Sequence, residues 1–182
     1  MQFLPTEIPD VVLIRPEVFG DSRGFFLESW QERKFAAAGI GAAFVQDNHS
    51  RSTRHTLRGL HYQLRHPQGK LVRVVAGSVY DVAVDIRRHS PHFGRSVGIT
   101  LSADSHDMLW VPPGFAHGFL VLSESADFLY RCTDFYAPRD EQAILWSDPE
   151  LAVAWPLPPG VAPVLSARDA AARAFRDAEY YP

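Results

Sequence analysis

The sequence of 182 residues predicts a mainly β protein, an antiparallel jelly roll or barrel with short flanking helices. Three observations carry that expectation. The chain holds 14 prolines and 12 glycines, which cut it into short segments. Many of those segments are rich in β-branched and aromatic residues, the types that suit a pleated, half-buried surface. Ala76-Gly77-Ser78 sets a tight turn between two long alternating segments, the strongest hairpin signal in the chain.

Taken in order, residues 11–14, 24–27 and 43–46 are the expected early strands. The series continues at 57–64, 70–76, 79–87, 96–101, 107–111, 118–122 and 127–133. Successive strand side chains alternate, so in 79–87 the residues Tyr80, Val82, Val84 and Ile86 share one face. Val79, Asp81, Ala83 and Asp85 share the other, and its two carboxylates predict a face that is solvated or lines a polar cavity. Two helices are expected. Ser29-Trp30-Gln31-Glu32 has capping-box spacing, and Gly39 can end the helix that follows. Ser166-Ala167-Arg168-Asp169 repeats the start signal with Asp in place of Glu, predicting an Ala-rich helical segment over about 166–178. The Pro-rich stretch 155–163 is a connector. With no internal repeat and a length that suits one core, residues 1–182 are expected to form a single domain.

Apolar residues make up 46% and charged residues 21%, an ordinary globular balance. The net charge of −3 offers no global basic field, which argues against nucleic acid as a partner. An anionic ligand must therefore be held by a local cluster of cations. A lone cysteine, Cys132, excludes an intrachain disulfide and a cysteine-built zinc site. No apolar run is as long as a membrane span, and residues 1–10 lack a basic start followed by an apolar core. The expected location is the cytoplasm, away from the membrane.

The densest polar cluster in apolar surroundings is LRGLHYQ at 57–63, followed by GKLV at 69–72. On a regular strand His61 and Gln63 share a face with Gly59, while Arg58 points away. A bulge at Gly59 would bring Arg58 round to the His61 side. A lone strand histidine is ordinarily structural, but three cationic donors, Arg58, His61 and Lys70, suit an anion or an oxyanion. A second cluster, PPGFAHGF at 112–119, uses a rigid turn to deliver His117 at the start of a strand. Its Pro-x-Gly-x-x-His pattern resembles one that recurs in the cupin superfamily, where the histidine often binds a metal beside a His-x-His pair. Here that pair is His61-Tyr62-Gln63, so one ligand has become an amide. Two histidines fall short of the three or four ligands that a divalent ion wants, and no metal is expected.

The remaining candidates have plain structural alternatives. Tyr130 could be a core aromatic with a satisfied hydroxyl, Asp169 a helix cap, and residues 19–24 a polar hairpin turn. Tyr136 and Glu141 lie just downstream of Tyr130.

Together these segments resemble the dTDP-4-dehydrorhamnose 3,5-epimerase family. The resemblance runs from about residue 21 to 169 through blocks in the same order: DSRGFFLE at 21–28, QDN at 46–48, LRGLH at 57–61 and KLV at 70–72. DVAVD at 81–85, SPHFG at 90–94, GFAHGF at 114–119, WSDP at 146–149 and LSARD at 165–169 follow. Where the family often has Lys beside the last aspartate, this chain has Arg168. The resemblance implies a cupin-type jelly roll, a homodimer with exchanged N-terminal strands, and no metal or other cofactor. It implies that His61 is the general base, Tyr130 the general acid, Asp169 the partner of His61, and Lys70 the neighbour of the sugar carbonyl oxygen. It further implies ligand contacts for Arg23, Glu28, Gln46, Asn48, Arg58, His117, Glu141 and Arg168, with Tyr136 stacked on the thymine and Arg23 and Glu28 serving the neighbouring subunit.

The implied substrate is a dTDP-linked 4-keto-6-deoxyhexose, whose C3 and C5 protons are labile because each carbon adjoins the ketone. Imidazole titrates near neutrality, so a histidine can take such a proton, and a carboxylate can fix its tautomer. A lysine can meet the charge that develops on O4. The absence of a Gly-rich phosphate loop fits recognition of the diphosphate by arginine side chains. The alternative is a sibling chemistry, a 3- or 5-mono-epimerase or a 3,4-ketoisomerase on a related dTDP-keto-sugar.

Overall fold

The computed structural model describes residues 1–182. The strands are β1 (Gln2–Pro5), β2 (Val12–Arg15), β3 (Val18–Asp21), β4 (Gly24–Leu27), β5 (Gln46–Thr53), β6 (Leu57–Gln63) and β7 (Lys70–Ala76). They continue as β8 (Ser78–Asp85), β9 (Ser96–Ser102), β10 (Met108–Val111), β11 (Phe115–Val121), β12 (Ser125–Cys132) and β13 (Glu141–Ala143). Two short helices, α1 (Glu32–Ala37) and α2 (Ala167–Ala170), complete the list with a 3₁₀ turn at Phe175–Asp177.

The strands form a six-stranded sheet in the order β1-β2-β10-β7-β12-β5 and a five-stranded sheet in the order β13-β6-β11-β8-β9, with β3-β4 as a separate hairpin. Every pairing is antiparallel. Between the two sheets lies a core of 15 buried residues, including Val72, Val74 and Phe128 from one sheet and Val79, Ala83, Phe119 and Val121 from the other. Each large apolar side chain taken out of water here contributes about 1.5–3 kcal/mol before ordering costs. The outward faces are covered too. Val82, Val84 and Ile86 of β8 pack under Ile144, Leu151 and Phe175 of the C-terminal segment. Ile14, Leu71, Met108 and Trp110 pack under Phe35 of α1 and Ile40.

Alternation in β8 holds as expected, but the carboxylate face is not solvated. Asp81 and Asp85 are fully buried. Asp85 is held by Arg87 through Nε–Oδ1 at 2.9 Å and by the Ser90 hydroxyl at 2.5 Å, while Asp81 is held by His117. A buried carboxylate keeps its charge only with such partners.

Several expected elements are corrected. The strand expected at 43–46 begins only at Gln46 and runs on to Thr53. Residues 46–53 carry polar side chains on both faces, so no hydrophobic alternation marks them. By contrast, the hairpin turn read at 19–24 is present, at the tip of the β3–β4 hairpin. The first helix is capped by Gln31, whose side chain accepts from the Lys34 amide, so its start lies two residues beyond Ser29. The C-terminal helix shrinks to one turn, α2, although Ser166 caps it as the spacing implied. Beyond it the chain crosses the five-stranded sheet as a strap, with Tyr180 packed on Phe93 and Phe175 and Tyr62 donating to the Glu179 carbonyl at 2.6 Å. That packing outweighs the helix propensity of its alanines.

Candidate active site

A cavity of about 370 Å³ opens between the sheets, and strands of both line it. From the six-stranded sheet come Gln46, Asn48 and Ser50 of β5, Lys70 of β7, and Phe128, Tyr130 and Cys132 of β12. From the other come Arg58 and His61 of β6 and His117, Gly118 and Phe119 of β11. Alternation explains the selection. Along β5 the odd residues face away, where His49 and Arg51 bind Asp127, and the even ones face inward.

The bulge expected at Gly59 is present. On β11, His117 pairs with His61 and Phe119 with Arg58, so β6 carries one extra residue across this interval. Gly59 has φ +125° and lies so close to β11 that a Cβ would meet the Gly118 Cα at 2.5 Å. Only glycine fits both the angle and the approach. Its effect is functional, because it turns Arg58 and His61 into the same cavity. Arg58 is steadied by Nε donating to the Ser52 hydroxyl at 3.0 Å.

His61 sits at a boundary. One side faces the main cavity, and its Nε2 meets Asp169 Oδ1 at 2.5 Å. Asp169 is buried, accepts from the Ser166 hydroxyl at 2.9 Å, and reaches His61 across 108 positions of sequence. Burial alone would raise its pKa, but hydrogen bonds from His61 and Ser166 and the charge of His61 hold it below the ordinary carboxylate value. Nε2 is thereby engaged, leaving Nδ1 as the nitrogen free to accept a proton. The helix-cap alternative for Asp169 is also true, since Ser166 accepts from its amide at 3.0 Å. One residue does both.

Tyr130 lies on β12, its ring packed near Phe128 at a centroid distance of 5.9 Å. Its hydroxyl has no protein partner among the hydrogen bonds of the structure, which removes the satisfied-core alternative. Burial pushes the phenol above its ordinary pKa, with the neighbouring Cys132 and Glu141 adding to the effect. Lys70 pairs across strands with Cys132. Burial pulls its ammonium below the ordinary lysine value, against the attraction of Cys132, Glu141 and Asp81. His117 is buried with Nε2 2.9 Å from Asp81 Oδ1 and stacks toward Phe128.

The cavity mouth is a polar network. Gln46 donates to Asn48 Oδ1 at 2.9 Å and accepts from the Tyr136 amide at 2.9 Å. The Tyr136 hydroxyl donates to Glu141 Oε2 at 2.8 Å, and Arg168 pairs with the same carboxylate. Thus His61, Lys70, Tyr130, Gln46, Asn48, Arg58, His117, Tyr136 and Glu141 all line the cavity. Asp169 and Arg168 line a smaller cavity behind His61. Arg23 and Glu28 do not join them within the chain. They lie in or beside the exposed β3–β4 hairpin, where Arg23 pairs with Asp21 at 2.5 Å and Glu28 with Lys34 at 2.8 Å.

Some site residues escaped the sequence. Asp81, behind His117, was legible only as one of two carboxylates on a face expected to be solvated or to line a polar cavity. Ser50 lines the cavity with a buried, unpartnered hydroxyl, and Gln68 and Cys132 line it as well. Gln63, which stands where a second metal ligand could, points elsewhere and binds backbone. Nowhere do three or more His, Cys, Asp or Glu side chains gather as a metal site. No helix is long and apolar enough to cross a membrane.

Comparison with known proteins places this arrangement. The family model described as dTDP-4-dehydrorhamnose 3,5-epimerase matches residues 5–177. A protein of that name from Pseudomonas aeruginosa is 58% identical over 176 residues, covering 96% of each chain. One from Shigella flexneri is 52% identical over 183 residues, covering 100% of this chain and 99% of its own. The solved dTDP-6-deoxy-D-glucose-3,5-epimerase of Legionella pneumophila, in complex with dTDP-4-keto-L-rhamnose, superposes with a TM-score of 0.94 at 50% identity, covering 98% of this chain and 94% of that one.

Proposed function

The chain belongs to the dTDP-4-dehydrorhamnose 3,5-epimerase family, and on that premise we propose that His61 and Tyr130 are the base and the acid of its reaction. The fold is the cupin-type jelly roll of that family. The enzyme is an isomerase that inverts C3 and C5 of dTDP-4-dehydro-6-deoxy-D-glucose to give dTDP-4-dehydro-L-rhamnose. The single observation that carries the residue roles is the position of His61. Its ring lines the cavity that Tyr130 and Lys70 also line, and its Nε2 rests on the buried Asp169 carboxylate.

The chemistry follows from that geometry. His61 removes a proton beside the 4-ketone, and Asp169 stabilises the imidazolium that forms. The electron pair moves into the ring as an enolate, whose oxygen meets the Lys70 ammonium. Reprotonation from the opposite face inverts the carbon, and the Tyr130 phenol, kept protonated by burial, is the donor. A second cycle at the other carbon completes the diepimerisation. The base and acid return to their starting states between cycles by exchange with water.

The nucleotide half is read from the mouth of the cavity. Tyr136, half exposed and anchored to Glu141, is the platform for the thymine. Gln46, Asn48, His117, Glu141 and Arg168 contact the ligand, and Arg58 faces the diphosphate. No step needs a metal or another cofactor, because Lys70 and the arginines carry the positive charge. A nucleotide-linked substrate and a lone buried cysteine fit an enzyme of the cytoplasm.

Arg23 and Glu28 complete the site of a second copy of the chain. In support, the β3–β4 hairpin that carries Arg23 exposes Phe19, Phe25 and Phe26 at 56%, 63% and 69%, an apolar surface that calls for cover. Sedimentation should give a homodimer, and a fully active monomer would exclude the exchange.

The reaction run in D₂O with a chelator present tests the function directly. The product should carry deuterium at both C3 and C5 by NMR. Label at one carbon alone would reduce the enzyme to a mono-epimerase, and a keto group moved to C3 would make it a ketoisomerase.

A further inference from the structure

We propose that Gln63 is a positioning residue for nucleotide recognition, its buried amide fixing the backbone on both sides of Tyr136. The inference rests on the reading of Tyr136 as the base platform and adds what holds that platform in place.

Tyr136 lies in the connection between β12 and β13, residues 133–140, which has no strand or helix to order it. Its backbone groups must find partners elsewhere, and its ring is too exposed for packing to fix it. Gln63, at the end of β6, is 3% exposed. Its Nε2 donates to the carbonyl of Phe135 at 3.1 Å and to that of His66 at 2.8 Å. Its Oε1 accepts from the amide of Ala137 at 2.7 Å. The residues immediately before and after Tyr136 are thus tied to one planar group.

Two further glutamines finish the cradle. Gln68 donates to the Asp134 carbonyl at 2.8 Å, and Gln46 accepts from the Tyr136 amide itself. Gln63 is also the cross-strand partner of Glu141, the residue that receives the Tyr136 hydroxyl. The backbone around Tyr136 is therefore set from the strand that carries His61, and its ring from the adjacent strand β13. A hydrophobic residue at 63 would leave two carbonyls and an amide without their partner, and the loop would resample its conformations. The deprotonation centre, two residues earlier on the same strand, keeps its own anchor in the contact of His61 with Asp169.

The test is a two-by-two set of variants, each checked for a cooperative thermal transition, with steady-state kinetics on the dTDP-keto-sugar. Complete loss of a base–aromatic stack is worth about 5- to 150-fold, and Tyr136→Ala should raise KM within that range. Gln63→Leu should raise KM by at least about threefold, and by no more than Tyr136→Ala does, with kcat within about twofold of the parent. In the double variant the KM should match that of Tyr136→Ala alone, because the amide acts through the ring. Gln63→Glu keeps the acceptor for Ala137 and loses both donors. It should shift KM in the same direction and serves if the leucine variant does not fold. An unchanged KM for the Gln63 variants beside a raised KM for Tyr136→Ala overturns the positioning role. So do effects that multiply in the double variant, or a fall in kcat as large as the rise in KM. An unchanged KM for Tyr136→Ala would instead remove the platform reading, and the positioning role with it.

Discussion

Replacing His61 with alanine should cut kcat by about 10²- to 10⁴-fold, the usual contribution of one positioned base, while dTDP binding measured by calorimetry stays near the parental value. The separation of effects follows from the layout of the cavity. His61 lies in the wall shared with the smaller cavity, whereas Gln46, Asn48, Tyr136, Glu141 and Arg168 hold one another at the mouth without it. Removing the ring also leaves Asp169 buried beside an empty space, still fixed by Ser166. Neither the base nor a substitute for it remains, so the variant should also fail to exchange C3 or C5 protons with D₂O. Parental exchange rates in His61→Ala would rule the residue out as the base.

Tyr130→Phe should lose product formation by a comparable factor, but with a different signature. The ring still packs near Phe128, and the deleted hydroxyl has no protein partner to leave unsatisfied. Stability by thermal unfolding should therefore barely move. With His61 and Lys70 intact, the enolate can still form and collapse back onto the face it came from, after its proton has exchanged with solvent. In D₂O the variant should label recovered substrate without inverting it, which His61→Ala cannot do. Inversion at the parental rate would exclude Tyr130 as the donor.

These two residues show where the sequence was informative and where it was not. The neighbourhood of His61 was legible because Arg58, His61 and a strand glycine sat within a short apolar run, with Lys70 close behind, and a bulge there has a definite geometric effect. Tyr130 looked like any strand tyrosine, since an unpartnered hydroxyl is a property of the folded cavity. Asp169 carried a correct local signal as a helix-cap residue, while its bond to His61 is a tertiary event no local pattern encodes. The fold was legible wherever one face of a strand met the core. It was lost at β5, whose inward Gln46, Asn48 and Ser50 line a cavity and whose outward His49 and Arg51 face solvent. The C-terminal segment was overread for the opposite reason: its alanines favour helix, but Tyr180, Tyr181 and Phe175 are worth more laid across the sheet.

The distance in sequence between His61 and Asp169 also sets an order of events during synthesis. The strands that wall the cavity, β5 to β12, are all made before α2. The proposed base therefore waits for its carboxylate until nearly the whole chain has been made. Chemical competence arrives late in translation, and a chain released before residue 169 would lack both that carboxylate and the strap of Phe175, Tyr180 and Tyr181 that covers the five-stranded sheet.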